Sequence, residues 1–302
     1  MTIQSQIRTN ITKSNMFMAG FVVFVVFAAY VMGNALGYGN SWMFIAVIFS
    51  VVSSLVSYYY GDSIVLAMSG ARPADRRRDF DFFTVTENLA IAAGIPKPKL
   101  YVIDDTAMNA FATGRDPKHS IVCATSGILT RLERRELEGV IAHELSHIKN
   151  FDTRLMAVVA VLAGTIAFLA DMFMRNLWWG GGRSASRRSD RDNNLGGILM
   201  IVGIILAILS PIIATLIQLA ISRKREYLAD ASSANLTRYP EGLAKALEKL
   251  ASDREVLEAA TNATAHLYIT NPFKGKEFGA WFAGLFDTHP PIKERIKILR
   301  AM

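Results

Sequence analysis

Four long apolar stretches of the chain carry almost no charged side chain. Met16–Leu36, Trp42–Tyr60 and Ile198–Ile221 contain no charged residue, and Leu155–Met174 contains only Asp171. Each has the roughly 20 residues that cross about 30 Å of hydrocarbon as a helix. Four such runs exceed what one soluble core can cover, so the pattern predicts an integral membrane protein with four apolar helices. The first run starts far from the N-terminus and no Ala-x-Ala-like site closes it, so it reads as a retained anchor.

Three polar stretches remain. In Gly61–Arg154, Thr84–Ala93 reads as a helix stopped by Gly94, with Pro96 and Pro98 beyond. Lys99–Ile103 is β-like, and Asn109–Thr113 and Ser120–Thr125 read as strands joined through Gly114-Arg115-Asp116-Pro117. From Glu133, residues Leu137, Val140, Ile141, Leu145 and Ile148 recur at helical spacing. No strong breaker follows before Leu155, so this helix is expected to run almost unbroken into the third apolar run. Arg175–Gly197, with Gly180-Gly181-Gly182, reads as a flexible loop. In the last stretch Arg223–Leu236, Pro240–Ser252 and Pro291–Leu299 look helical. The fold class is α+β, predominantly helical, with a small β-sheet.

Composition agrees: 51% of the 302 residues are apolar and the mean hydropathy is +0.26. The net charge of +7 would suit nucleic acid, but its placement argues for topology. Arg8 and Lys13 precede the first run, Arg72, Arg76, Arg77 and Arg78 follow the second, and the link Gly37–Ser41 is uncharged. This positive-inside pattern puts the N-terminus and the segment after Tyr60 in the cytosol, and a few of these arginines also suit anionic headgroups. No nucleic-acid partner is expected. The loop 175–197 runs against the trend, with Arg175, Arg183, Arg187, Arg188 and Arg191 against Asp190 and Asp192. It faces outward if both later runs span, and a hairpin that enters and leaves on the cytosolic side removes the conflict. Cys123 is the only cysteine, which excludes an intrachain disulfide and suits a reducing compartment.

The chemistry stands on the predicted helix, in His143-Glu144-Leu145-Ser146-His147. Histidines four apart lie about 40° apart around a helix and about 6 Å along it, so both imidazoles reach one ion. Glu144 beside the first ligand is placed to act as a base. A catalytic zinc site needs three protein ligands and keeps a fourth position open, where it acidifies a water. The third ligand is His119, His266, His289 or a carboxylate. Glu226 is the strongest candidate, because Glu226 and Asp230 share a helix face and one of the two can bind metal while the other accepts the free N–H of a ligating histidine. Two apolar runs separate His147 from Glu226, an even number, so both lie on one side of a membrane.

Asn109-Ala110-Phe111-Ala112-Thr113-Gly114, Val140 to His147 with its His-Glu-x-x-His core, Asp152, Glu226-Tyr227-Leu228-Ala229-Asp230 and the order of the four runs together resemble the bacterial membrane zinc proteases of the gluzincin group, which includes the CAAX prenyl endopeptidases. The likeness covers nearly the whole chain. It implies a gluzincin-like metalloprotease domain, one Zn²⁺ per chain on His143, His147 and Glu226, catalysis by Glu144, and Asp230 orienting a ligating histidine. It also implies a multi-pass protein of the bacterial inner membrane, with a cytosolic catalytic domain that degrades membrane or misfolded proteins under stress. Its partners would be polypeptides and the lipid bilayer. The corresponding domains are a membrane hairpin over 1–61, the first catalytic half over 62–154, a second hairpin over 155–221 and the second catalytic half over 222–302. Asn109, Ala110, Phe111 and Ala112 form an expected edge strand for substrate, and His289 or Arg295 would stabilise the oxyanion. The aromatic stretch Phe273, Phe278, Trp281, Phe282 and Phe286 suits a cleft lining, a lipid contact or core packing. Rival readings are a processing peptidase for lipidated peptides and a non-catalytic, zinc-containing membrane chaperone. The carboxylate of Glu144 speaks against the chaperone, since a structural site has no use for it.

Overall fold

The computed structural model describes residues 3–35, 41–180, 223–260, 264, 267–270 and 290–302. Its first two elements are the long helices α1 (Ile3–Ala35) and α2 (Ser41–Met68). Both outrun the apolar stretches seen in the sequence. Polar residues such as Asn10 and Ser14 continue α1, and Asp62 and Ser63 continue α2, because none of them breaks a helix. Among the described residues these are the two helices long and apolar enough to cross a bilayer, over Ile7–Phe27 and Phe44–Met68. They turn Val23, Phe27, Phe44 and Ile48 outward, as a lipid-facing surface requires. The third apolar run lies on helix α6 (Asp152–Gly180), and the fourth lies outside the described residues.

After α2 come β1 (Arg72–Pro73), α3 (Phe80–Ala93), β2 (Lys99–Ile103), β3 (Ala110–Asp116), β4 (His119–Thr125), α4 (Ser126–Arg131) and α5 (Arg134–Lys149). Beyond α6 the described helices are α7 (Arg223–Thr237), α8 (Pro240–Ser252) and α9 (Ile292–Leu299). The strand order is β1-β2-β4-β3, with β2 parallel to β4 and the outer strands antiparallel. β3 is an edge, as expected.

Alternation along the strands gives the sheet two buried faces. Val102, Ala110, Ala112, Val122 and Ala124 face a core shared with Phe82, Leu89, Val140, Ile141, Leu145, Leu243 and Leu247. Ile103, Phe111, Ile121 and Cys123 face Val65 of α2, Met156 and Ala160 of α6, and Tyr268. The sheet thus lies between α3, α5 and α8 on one face and the ends of α2 and α6 on the other. α5 starts on a capping box between Glu133 and Glu136 and is buried along most of its length. Two glycines bring α5 and α8 into close approach. A Cβ on Gly139 would stand 2.6 Å from Leu243 N, and one on Gly242 would stand 2.5 Å from Arg135 O.

Phe21 of α1 packs on Val158, Leu162 and Ile166 of α6, and Asn15 Oδ1 accepts from Arg154 at 2.8 Å. Higher numbers on α1 meet higher numbers on α6, so the two run parallel. α2 returns antiparallel, with Ser57 Oγ donating to Val158 O at 3.4 Å. The N-terminus of α1, the C-terminus of α2 and the N-terminus of α6 therefore share one end of the bundle.

One expectation fails at the end of α5. The helix does not run on into the third apolar stretch. It stops at Asn150, Phe151 adopts a left-handed conformation (φ 59°), and α6 begins afresh at Asp152. The expected helix over Thr84–Ala93 starts earlier, at Phe80, while Gly94 ends it in the left-handed conformation.

Candidate metal centre

The antiparallel packing of α5 on α7 builds the centre. Ser233 Oγ donates to Gly139 O at 2.7 Å, which fixes the register between the two helices. Four residues on along α5 stands His143, and three back along α7 stands Asp230. His143 Nδ1 lies 3.0 Å from Asp230 Oδ1. A further turn back, Glu226 meets both histidines. His143, His147 and Glu226 are all buried, and their ligand atoms form one cluster.

The spacing suits zinc. His143 Nε2 and His147 Nε2 are 3.2 Å apart. Glu226 places Oε2 3.7 Å from His143 Nε2 and Oε1 3.5 Å from His147 Nε2. A tetrahedral ion holding N and O ligands at about 2.0–2.2 Å sets them about 3.3–3.6 Å apart. Two nitrogens and a carboxylate at these separations fit that ion.

The other nitrogen of each imidazole is held by a carboxylate. Asp230 takes His143 Nδ1, and Asp152 Oδ2 lies 3.0 Å from His147 Nδ1. These contacts turn both Nε2 atoms to the common centre. Each carboxylate is in turn fixed by a buried arginine. Arg295 donates to Asp230 through Nε at 2.8 Å and a terminal nitrogen at 2.7 Å, and lies 3.7 Å from Glu226 Oε2. Arg225 donates to Asp152 Oδ1 at 3.3 Å. Burial tends to raise the Asp230 carboxyl, but the Arg295 charge and the hydrogen bonds from His143 and Arg295 outweigh it and hold the group below the usual range. Burial tends to lower His147. Its bond to Asp152 and the negative charges of Glu226, Asp152 and Glu144 win and push it up to about 9. An incoming cation must displace that proton.

Glu144 lines a small cavity with Ala112, His143, His147, Met156, Glu226, Leu267 and Ile269. The edge strand borders this cavity through Ala112. Asn109 precedes the strand, caps its start by accepting from Ala110 N at 3.1 Å, and donates to Thr270 O at 3.1 Å. Ala110 O accepts from Ile269 N at 3.0 Å. Phe111 points to the opposite face and stacks edge-on against Tyr268.

Other expected residues fall elsewhere. His119 is exposed beside Asp116 and takes no part in the cluster. His266, His289 and the aromatics at 273, 278, 281, 282 and 286 lie outside the described residues. Arg295 is buried and pairs with Asp230 through Nε and one terminal nitrogen, while its other terminal nitrogen faces Glu226. Asp152, Arg225 and Asn10 were not predicted to support the ligands. Asp152 stands five residues after His147, and on an unbroken helix it would point about 140° away. Only the break at Phe151 brings it back.

Comparison with known proteins points the same way. The sequence pattern described as peptidase family M48 matches residues 77–302. A protein called Protease HtpX homolog from Caldanaerobacter subterraneus subsp. tengcongensis is 45% identical over 97% of this chain and 95% of its own. One of the same name from Ligilactobacillus salivarius is 43% identical over 99% of this chain and all of its own. Among solved structures, that of Ste24p from S. mikatae shares the fold with a TM-score of 0.51 at 19% identity, and the alignment covers 98% of this chain and 66% of that one.

Proposed function

The chain belongs to peptidase family M48, and from that premise we propose that His143, His147 and Glu226 hold its zinc while Glu144 moves the proton of peptide hydrolysis. It is a metallopeptidase and a membrane protein. The observation that carries the assignment of roles is the meeting of three buried side chains, His143, His147 and Glu226, with atoms 3.2–3.7 Å apart in the pairs described above and Glu144 on the wall of the same cavity.

Zinc held there supplies a Lewis acid that activates a water and polarises the scissile carbonyl. Glu144 accepts the proton of the attacking water and delivers it to the leaving amine. Asp230 and Asp152 keep the two imidazoles turned inward. The substrate backbone pairs with the edge strand at Ala112. In the antiparallel β3–β4 ladder, main-chain groups of alternate residues point outward. Those of Ala110 and Gly114 are already engaged, the first with Ile269 and the second with Thr153. Ala112 stands between them at the cavity. The oxyanion we assign to His289, with Arg295 as the other candidate.

The substrates are membrane or misfolded proteins cut at the cytosolic face of the inner membrane, in quality control under stress. The charge pattern around the first two runs supports that side, and the shared end of α1, α2 and α6 supports placing the centre beside the bilayer. Residues 1–61 and 155–221 form the two membrane hairpins, and 62–154 with 222–302 form the catalytic halves.

Glu144→Gln tests the roles. The amide keeps the shape and cannot take the proton, so cleavage should fall at least about 10²–10⁴-fold while zinc content stays at one per chain. Cleavage near the wild-type rate refutes the role of base, and loss of zinc refutes the division between ligands and base.

A further inference from the structure

We infer that Asn10, on the first membrane helix, is a positioning residue of the metal centre: it holds Asp152, and through Asp152 the imidazole of His147. The inference rests on the zinc reading above.

Asn10 is 3% exposed and spends its whole amide on this task. Its Nδ2 donates to Asp152 Oδ1 at 2.7 Å and to Asn150 O at 2.9 Å. Its Oδ1 accepts from Arg225 at 3.2 Å. The two acceptors of Nδ2 lie on either side of the left-handed Phe151, so one side chain clamps both ends of the break that turns Asp152 towards His147. Asp152 then divides its oxygens, with Oδ2 on His147 and Oδ1 on Asn10 and Arg225. The contact with Asn10 is the shorter of those two.

The chemistry demands an asparagine. The group facing Asp152 Oδ1 must donate, and the group facing Arg225 must accept. A carboxylate at position 10 would set two negative oxygens against each other. An apolar residue would leave Asn150 O and part of Asp152 unsatisfied in a buried place, which is costly. A buried amide in a stretch apolar enough to cross a bilayer also needs a reason to be there. Asn10 lies well before residue 77, where the family match begins, yet it is three links from the metal: Asn10, Asp152, His147. The first apolar helix is then a structural part of the centre as well as an anchor.

The test is a zinc titration of the full-length chain in detergent, stripped of metal and read against a chromophoric chelator. Losing the group that supports a metal ligand typically weakens metal binding 10–100-fold, and removing Asn10 acts by withdrawing that support from His147. Asn10→Ala and Asn10→Asp should both show a loss of about that size and a faster release of zinc. Asn15→Ala is the control on the same helix. It removes the contact with Arg154 without touching Asp152 and should leave zinc affinity unchanged. In an Asp152→Ala background, Asn10→Ala should add no further loss, because its effect passes through Asp152. A zinc affinity within twofold of wild type in folded Asn10→Ala overturns the inference, as does the same further loss in the Asp152→Ala background. If Asn10→Ala does not fold, the isosteric Asn10→Asp decides by the same criterion. Failure of the wild-type chain to bind zinc would sink the metal reading itself, a distinct outcome.

Discussion

Arg295→Met probes the arrangement behind the ligands. Arg295 and Asp230 are 0% and 1% exposed and make a two-bond pair at 2.7 and 2.8 Å. Methionine keeps most of the length, so the cost comes from charge rather than from a cavity. Removing one partner of such a pair strands the other, which costs about 3–5 kcal/mol. Burial leaves no solvent screening to discount. The low end applies, since Asp230 keeps its contact with His143. The pH dependence follows from the lowered carboxyl of Asp230. A depressed folded-state value gives stability that is present above the ordinary carboxylate range and lost as pH falls through the lowered value. The gap between variant and wild type is therefore full at pH 7 and narrows below about pH 4.

Cys123 supplies the assay. It is the only cysteine, it is buried in the sheet, and burial pushes its thiol far up. It therefore reacts only when the fold opens. In metal-free protein at pH 7, under conditions where closing outpaces labelling, the alkylation rate reports the open population. A cost at that low end, about 3 kcal/mol, predicts acceleration of roughly 150-fold. An acceleration under tenfold, or a gap that widens towards acid, refutes the reasoning.

Gly139→Ala should destabilise the chain by up to about 2 kcal/mol, an overpacking cost of about 1–3 kcal/mol less the roughly 1 kcal/mol that alanine gains in a helix. Thermal unfolding checks it, and a stability gain would show that α8 yields at Leu243. His147→Ala should lose zinc and cleavage together, because two remaining ligands hold the ion poorly, as metal analysis and a casein digest would show. Chelation of the wild type should abolish cleavage, and added zinc should restore it. Cysteines placed at Ser184 or Ser186 in a Cys123→Ser background should label from outside intact cells if the third and fourth runs span. Protection until lysis would mean that the second hairpin does not cross.

What was legible in the sequence was local. The pattern His143-Glu144-Leu145-Ser146-His147 needs only one helix turn to bring two ligands together, and periodicity marked that helix. The edge position of β3 and the span of α8 were expected as found, and the C-terminal stop of α3 followed from Gly94. Glu226 was reachable because Glu226 and Asp230 also share one turn. β1 was not legible, since its two residues carry no period and pair only because β2 presents an edge. The lower end of α2 was missed because Asp62 and Ser63 interrupt hydrophobicity without interrupting the helix.

The support of the ligands was illegible for a different reason. Asp152 reaches His147 only because Phe151 leaves the helical region, and no glycine or proline announces that break. A phenylalanine with positive φ costs energy locally, and the contacts made around it offset that cost: Asn10 to Asn150 O, Asn10 to Asp152, and Asp152 to His147. The break thus depends on an element distant in sequence, since α1 must dock before the turn between α5 and α6 has its partners. The same docking explains an asparagine in a span that hydropathy would rather fill with leucine. Where a local rule is broken at both Asn10 and Phe151, and the two breaks meet beside His147, one of three residues that could hold a metal, the proposed centre accounts for both.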